Sequence, residues 1–432
     1  MLNLKKLSLT TASSSLIFFA TTLSAGAASF YSITELPFTP SDINDNGQIV
    51  GQNYLWTNGT LIDFHSLISK TDFYNLIYEL FSKTDYPNFF PEAEIDRLIR
   101  NISENPGIIK LTAINNQGKI VGYWGDNIIG EQAFVSDGTS NIRKIDTPPV
   151  NFCTSSGTLC NYSIPYDIND AGQIALAGLP IPQSLRYGAN GLLRNVDGTF
   201  TNLRSSRYIP RMALNNSGQV IEDFAGAGTT NTYFYNNGRF TSLYSTEFTK
   251  NYTSFISLQI SSSSINDRGQ VVGSGSMIYN QQDIYSSVSI IHGLLWNDPE
   301  QNPVGTDLGT LGDNYSKANS INNLGQIVGA SGSKSNLTSA VIWEENSIYN
   351  LNNFIDPNLG WQLTSALKIN NKGQIVGNGY LNGKFASFLL TPDSKSVPEP
   401  TFTFSLLSFA AFGLGWQMKR QLSKKKSDHL IS

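Results

Sequence analysis

One nonapeptide, met seven times, limits what this chain can fold into. It reads INDNGQIVG from Ile43, INNQGKIVG from Ile114, INDAGQIAL from Ile168 and LNNSGQVIE from Leu214. It returns as INDRGQVVG from Ile265, INNLGQIVG from Ile321 and INNKGQIVG from Ile369. Successive copies lie 71, 54, 46, 51, 56 and 48 residues apart. Each copy reads as a β-hairpin. The Ile or Leu ends one strand, and Asn-Asn or Asn-Asp opens a type I turn whose first side chain can bond the backbone two residues on. Gly supplies the left-handed residue that such a turn needs, at Gly47, Gly118, Gly172, Gly218, Gly269, Gly325 and Gly373. Gln-Ile-Val-Gly starts the return strand.

A second element follows most copies, an apolar and aromatic strand often ended by a Gly turn. Examples are Tyr54-Leu55-Trp56 before Asn58-Gly59, Ala133-Phe134-Val135 before Asp137-Gly138, and Tyr233-Phe234-Tyr235 before Asn237-Gly238. A third element is a strand such as Phe200-Thr201-Asn202-Leu203; in the fifth repeat it reads Thr306-Asp307-Leu308-Gly309-Thr310-Leu311-Gly312. Units of this length, each giving three or four short strands, match propeller blades of ~40–50 residues, and seven lies within the usual blade number. The expected fold is an all-β, seven-bladed β-propeller over residues 28–392, with an open β-solenoid as the alternative. Phe30 to Leu36 looks like a third element with no hairpin before it, and the last repeat stops after Phe388-Leu389-Leu390. The N-terminal strand is therefore expected to complete the last blade and remove an edge. The long first interval holds two helical patterns at about 71–104. Phe73, Leu76, Ile77 and Leu80 follow Thr71, and Ile95, Leu98, Ile99 and Ile102 follow Pro91. This insertion reads as a packed decoration of one blade or as a partner-binding lid.

These elements resemble the HAF family of extracellular repeats, marked by an Ile-Asn-x-x-Gly-Gln-Val-Val-Gly hairpin, an Ala-Phe-Leu-Trp strand and Asp-Leu-Gly-Thr-Leu-Gly. The resemblance covers residues 30 to 392. It is weaker in repeats three and four, which lose the last Gly, and it implies little about activity.

Both ends carry targeting patterns. Lys5 and Lys6, then Leu16-Ile17-Phe18-Phe19-Ala20, then Ala25-Gly26-Ala27 read as a secretory signal peptide over residues 1–27, cut between Ala27 and Ala28 or just after. At the other end, residues 401–418 hold no charge and would span about 27 Å as a helix, close to the hydrocarbon thickness. Lys419, Arg420, Lys424, Lys425 and Lys426 follow in 419–432, a basic flank that stays cytoplasmic. Val397-Pro398-Glu399-Pro400 sits directly before the apolar stretch, closing the linker 393–400. This order resembles the PEP-CTERM sorting signal. The resemblance implies recognition by an exosortase-type membrane protease and cleavage near Pro-Glu-Pro. It also implies release or attachment at the cell surface, often in a polysaccharide matrix. A plain C-terminal anchor is the simpler alternative.

Chemistry is sparse by comparison. Charged residues make up 14% of the chain, against roughly 25% in an average soluble protein. No basic block lies within the body, so no nucleic-acid footprint is expected. Cys153 and Cys160 suit a small disulfide-closed loop in an oxidising compartment, or else two buried thiols. The three histidines are His65, His292 and His429, and none stands in a recognisable triad or metal pattern. Asp42-Ile43-Asn44-Asp45-Asn46-Gly47 imitates the opening of a calcium loop, but the twelfth position is Asn53 instead of Glu. No Asp/Glu pair stands out for glycoside hydrolysis, and Asp45, Asp170 and Asp267 are explained by turns. The strand tryptophans Trp56, Trp296 and Trp343 suit blade cores better than sugar stacking. The expectation is an exported binding or structural protein with no cofactor, no metal and no catalytic centre, associated with matrix polysaccharide; a secreted propeller hydrolase acting on glycans is the alternative.

Overall fold

The computed structural model describes residues 31–67, 109–125, 131–139, 141–146, 160–180, 189–206, 209–225, 230–245, 255–280, 287–312, 314–332 and 338–393. The segments expected to carry the signal peptide, the helical pair at 71–104 and the sorting tail lie outside these residues, as does Cys153. Cys160 opens the strand Cys160–Ile168.

Seven antiparallel sheets of four strands form the blades of a β-propeller. Blades 1 to 6 lie within residues 42–63, 109–144, 160–206, 211–243, 255–307 and 316–350. Each runs in chain order from an inner to an outer strand, and the first strands of neighbouring blades pack on one another around the axis. Blade 7 is built from both ends of the chain. Its inner strands are Trp361–Ile369, Ile375–Leu381 and Lys384–Pro392, and its outermost strand is Tyr31–Leu36. Tyr31 pairs with Pro392 and Leu36 with Ser387 in continuous antiparallel register. The expected closure is therefore present, and the solenoid alternative is excluded.

Seven apolar clusters join the blades. Between blades 1 and 2, for example, Val50, Leu55 and Phe64 pack against Leu111, Trp124 and Phe134. Trp296 and Trp343 are buried in such layers and donate their indole N–H to Tyr244 and Leu308 carbonyls respectively. Trp56 is partly buried beside the closure layer. The third element of repeat five departs from expectation. Only Thr306–Asp307 is strand. The Asp307 carboxylate accepts the Gly309 N–H at 2.7 Å, and this turn carries the chain out of the sheet.

Removal of residues 31–36 would leave the third strand of blade 7 as a bare edge and uncover Phe388 and Leu390. The shortened protein is expected to lose cooperative thermal melting and to scatter light on heating. Retention of the parent transition would show that the ring does not need this strand.

Candidate functional site

The nonapeptide turns meet around the propeller axis at one face, where they surround a cavity of about 160 Å³. Each turn is built by its first Asn. The Asn44 Oδ1 accepts the backbone N–H of Asn46 at 3.0 Å and of Gln48 at 2.9 Å. The same pattern is made by Asn115, Asn215, Asn266, Asn322 and Asn370. The turn glycines sit at φ between 74° and 90°, the left-handed region anticipated for them.

The other end of this amide reaches the next blade. Asn44 Nδ2 donates to the Asn115 carbonyl at 2.9 Å, Asn115 to Asn169, Asn169 to Asn215, and Asn215 to Asn266. Asn266 donates to Asn322, Asn322 to Asn370, and Asn370 back to the Asn44 carbonyl at 2.9 Å. Seven buried amides thus form a closed hydrogen-bonded ring.

The next residue of each turn forms a second ring. The Asp45 N–H donates to Asn116 Oδ1 at 2.8 Å, and this link repeats through Asp170, Asn216, Asp267, Asn323 and Asn371 back to Asp45. Carboxylates and amides alternate along it. Asn116 Nδ2 bridges Asp45 and Asp170 at 3.1 Å each, and Asn216 Nδ2 bridges Asp170 and Asp267. Strict alternation around seven positions is impossible. The mismatch falls between Asn323 and Asn371, where two amides adjoin and no pair of carboxylates is forced together. Asp45, Asp170 and Asp267 are thus more than turn formers: they link three blades each.

Deeper in the channel lies the residue before each nonapeptide. Asp42 Oδ2 accepts the Ile114 N–H at 3.0 Å, and Asp167 Oδ2 accepts the Leu214 N–H at 2.8 Å, so each ties its blade to the next. Ser264 and Ser320 do the same more weakly, at 3.4 Å. Lys368 from blade 7 sits 3.7 Å from Asp42, with a third of its side chain still open to the channel. Burial pushes the Asp167 carboxyl up to about 6, against the pull of Lys368. Burial would lower the Lys368 ammonium, but Asp42 and Asp167 outweigh it and hold it above its ordinary value. No group of three or more metal-ligating side chains occurs among the described residues.

Two histidines pair with carboxylates. His292 Nδ1 is 2.7 Å from Asp307, and His65 Nδ1 is 3.2 Å from Asp63, with the His65 Nε2 buried and without a partner. Asp63 and His65 lie two residues apart and were not read as a pair, and His292 meets Asp307 only through the pairing of their strands.

Glu222 is a further group that sequence reasoning passed over. It stands at the ninth position of the fourth copy, where five copies have Gly. In blades 2, 5, 6 and 7 that Gly faces a β-bulge of the first strand, and a Cβ would strike its backbone. Blade 4 pairs its first two strands without a shift, and a side chain fits. Glu222 is 1% exposed, points at Gly191 of blade 3, and has no hydrogen-bond partner on either oxygen. Burial pushes it up to about 8, and the Arg204 guanidinium offsets this only in part. Beside it, Asp223 is also raised by burial, although Ser261, Ser262 and Thr232 donate to it.

No known family model matches the chain, and no curated protein matches it. Solved structures with likeness are propellers. The β-propeller domain of the Trilobed protease from Pyrococcus furiosus matches 67% of this chain and 86% of its own, at 10% identity and TM-score 0.43. An α-L-arabinofuranosidase of Fusarium graminearum matches 64% and 90%, at 12% identity and TM-score 0.36. TolB from Acinetobacter baumannii matches 65% and 53%, at 10% identity and TM-score 0.29. The likeness concerns fold alone.

Two outcomes are expected. Asn215→Ala removes the Oδ1 that accepts the Ser217 and Gln219 N–H groups, the Nδ2 contact to Gln219 Oε1 and the link to Asn266. It is expected to cost about 2–4 kcal/mol in denaturant unfolding, while exposed Ser217→Ala stays within about 0.5 kcal/mol. An equal cost for both would remove the ring from its structural role. For Glu222, the folded state holds its proton to about pH 8, whereas the ordinary carboxyl releases it near 4.5. Its stabilising share is therefore full below pH 4.5 and is lost as pH rises to about 8. Glu222→Gln is expected to gain on the parent by roughly 1–3 kcal/mol across that window. A difference between the two proteins that does not change with pH would refute a protonated Glu222.

Proposed function

We propose that this protein is an exported surface or matrix scaffold that binds polysaccharide through a rigid propeller and performs no catalysis. The observation that carries the reading is the use to which the channel side chains are put. Asp45, Asp170 and Asp267 are engaged by neighbouring amides, and Asp42 and Asp167 hold backbone N–H groups of the next blade. A glycosidase acid or nucleophile has to be free to meet the substrate at the bond that breaks. A rigid ring with loops growing from it suits binding, since loops can vary while the frame stays fixed. In this reading the chain is delivered by its signal peptide and held for a time by residues 401–418. It is then processed at Val397 to Pro400 by an exosortase-type protease, as the sorting-tail resemblance implies. The Cys153–Cys160 loop would close as a disulfide on export.

A glycan-acting hydrolase remains the second reading, favoured by the raised Asp167 beside Asp42 and Lys368, a pairing of perturbed groups of the kind that marks active sites. A glycan array separates the two. Bound polysaccharide retained unchanged and unaffected by chelator is the expected result. Release of shortened sugars, abolished by Asp167→Asn in a protein that still melts cooperatively, would establish the hydrolase.

A further inference from the structure

Glu222 stands on a seam between two blades. The strand Val220–Ala225 turns alternate side chains to its two neighbours. Val220 packs with Ala175, Ala177 and Leu193 of blade 3, while Ile221 packs with Ile260 of blade 5. Glu222 shares the side of Val220, and its carboxyl fills the space left by Gly191. Asp223 shares the side of Ile221.

The two acids meet different surroundings. Asp223 accepts from Thr232 Oγ1 at 2.7 Å, from Ser261 Oγ at 2.6 Å and from Ser262 Oγ at 2.7 Å, so it clamps blade 4 to blade 5. The seam between blades 2 and 3 is clamped as well. The Ser163 N–H donates to the Glu131 carbonyl at 2.8 Å, and Ser163 Oγ accepts the Ala133 N–H at 3.2 Å. Among the described residues, the seam between blades 3 and 4 has its hydrogen bonds near the axis, from Leu214 to Asp167, Asn169 to Asn215, Asp170 to Asn216 and Asn216 to Asp170. Farther out, the Arg204 guanidinium of blade 3 lies 4.1 Å from the Tyr233 ring centre and 5.2 Å from that of Phe240, both in blade 4. Glu222 comes between, 1% exposed and with neither oxygen hydrogen-bonded.

We propose that Glu222 makes this seam a pH-sensitive joint, tight while the carboxyl is protonated and loosened once it ionises, with blades 3 and 4 still tied at the axis. A neutral carboxyl can stay among Val220, Met212 and Leu193 at modest cost, whereas a carboxylate without a donor cannot. Burial pushes its titration up to about 8; Arg204 offsets this in part, and the Asp223 charge adds to it. The other titratable groups facing the seam are the phenols Tyr166, Tyr233 and Tyr235, and burial raises Tyr166. Arg211, on the first strand of blade 4, acts on Tyr166, and Asp167 faces the channel. In an opened seam the Glu222 carboxyl meets water, loses its proton to it and titrates near its ordinary 4.5. Closure is therefore strongest below about 4.5, weakens as pH rises to about 8, and changes no further above that. The joint is independent of what the propeller binds.

The test uses the full chain with Cys153→Ser and Cys160→Ser as background. Leu193→Cys, at a position 4% exposed in this seam, reports opening through its rate of labelling by a methanethiosulfonate. Ile342→Cys, at a position also 4% exposed but in the seam between blades 6 and 7, is the reference. The ratio of the two rates cancels the thiol's own titration and is followed from about pH 5 to about pH 9. It is expected to rise several-fold per pH unit and to level off near pH 8. Glu222→Gln, which keeps the shape and cannot ionise, is expected to hold the ratio flat. Met212→Cys repeats the measurement from the blade 4 side and stands in if the Leu193 variant does not fold. A flat ratio in the parent, or a rise that survives Glu222→Gln, would overturn the joint. Equal acceleration at positions 193 and 342 would overturn it too, by showing that the whole ring opens at once.

Discussion

The fold depends on one side chain used twice. The first Asn of each nonapeptide accepts backbone N–H groups of its own turn through Oδ1 and donates to the neighbouring turn through Nδ2. Asp could do the first and not the second. Gln has the right groups on a chain one carbon too long for the turn. Because the donor reaches an equivalent Asn carbonyl next door, each local turn sets the position of the next, and local geometry becomes ring geometry. These amides are nearly fully buried, so each bond is formed where an unmet polar group would be expensive. The second position needs an acceptor for the neighbouring N–H, which Asp and Asn both supply, and alternation lets each Asn Nδ2 donate to an adjoining carboxylate. A ring of seven must then carry one mismatch.

Two further residues follow from this frame. The Gln after the turn Gly accepts from the ring Asn of its own blade, as Gln48 does from Asn44 at 2.8 Å. In most blades it also lies over the turn Gly of the next blade: Gln48 is at the edge of contact with a Cβ built on Gly118, and Gln173 with one on Gly218. Positive φ and a close neighbour both exclude larger residues there. The second blade shows the tolerance of this site. Lys119 takes the place of Gln, its amide partner is lost, and the Asn115 link to Asn169 persists at 3.0 Å.

How much of this was open to the sequence depended on the distance over which each cause acts. The hairpin, the Asx turn and the left-handed Gly are decided within nine residues and could be read directly. Closure by the N-terminal strand could also be read, because counting elements left one strand unpaired at each end. The rings could not. Asn370 and Asn44 are 326 residues apart, and nothing in either copy says that an amide donates sideways. Asp45 looked complete as a turn residue because its second role lies in Asn116 and Asn371. Glu222 was visible as a lost Gly, but its burial depends on Gly191 of the neighbouring blade, which leaves room for the carboxyl. Likewise Asp42, Asp167 and Lys368 meet only because three blades converge on one axis.

The same frame explains why function is better sought away from the axis than on it. A ring that fixes seven blades to one another has little freedom to change its side chains, since each is already bonded to a neighbour. Its exposed fourth positions, from Asn46 to Lys372, differ in every copy and mix amide, hydroxyl, cationic and apolar side chains. At the other end of the strands the described links between blades are single and unlike one another, such as the Leu111 N–H to the Gln52 carbonyl at 2.6 Å and the Ser163 N–H to the Glu131 carbonyl at 2.8 Å. A side chain that closes the ring at the axis is thus held by two blades at once, and a change there is felt on both sides.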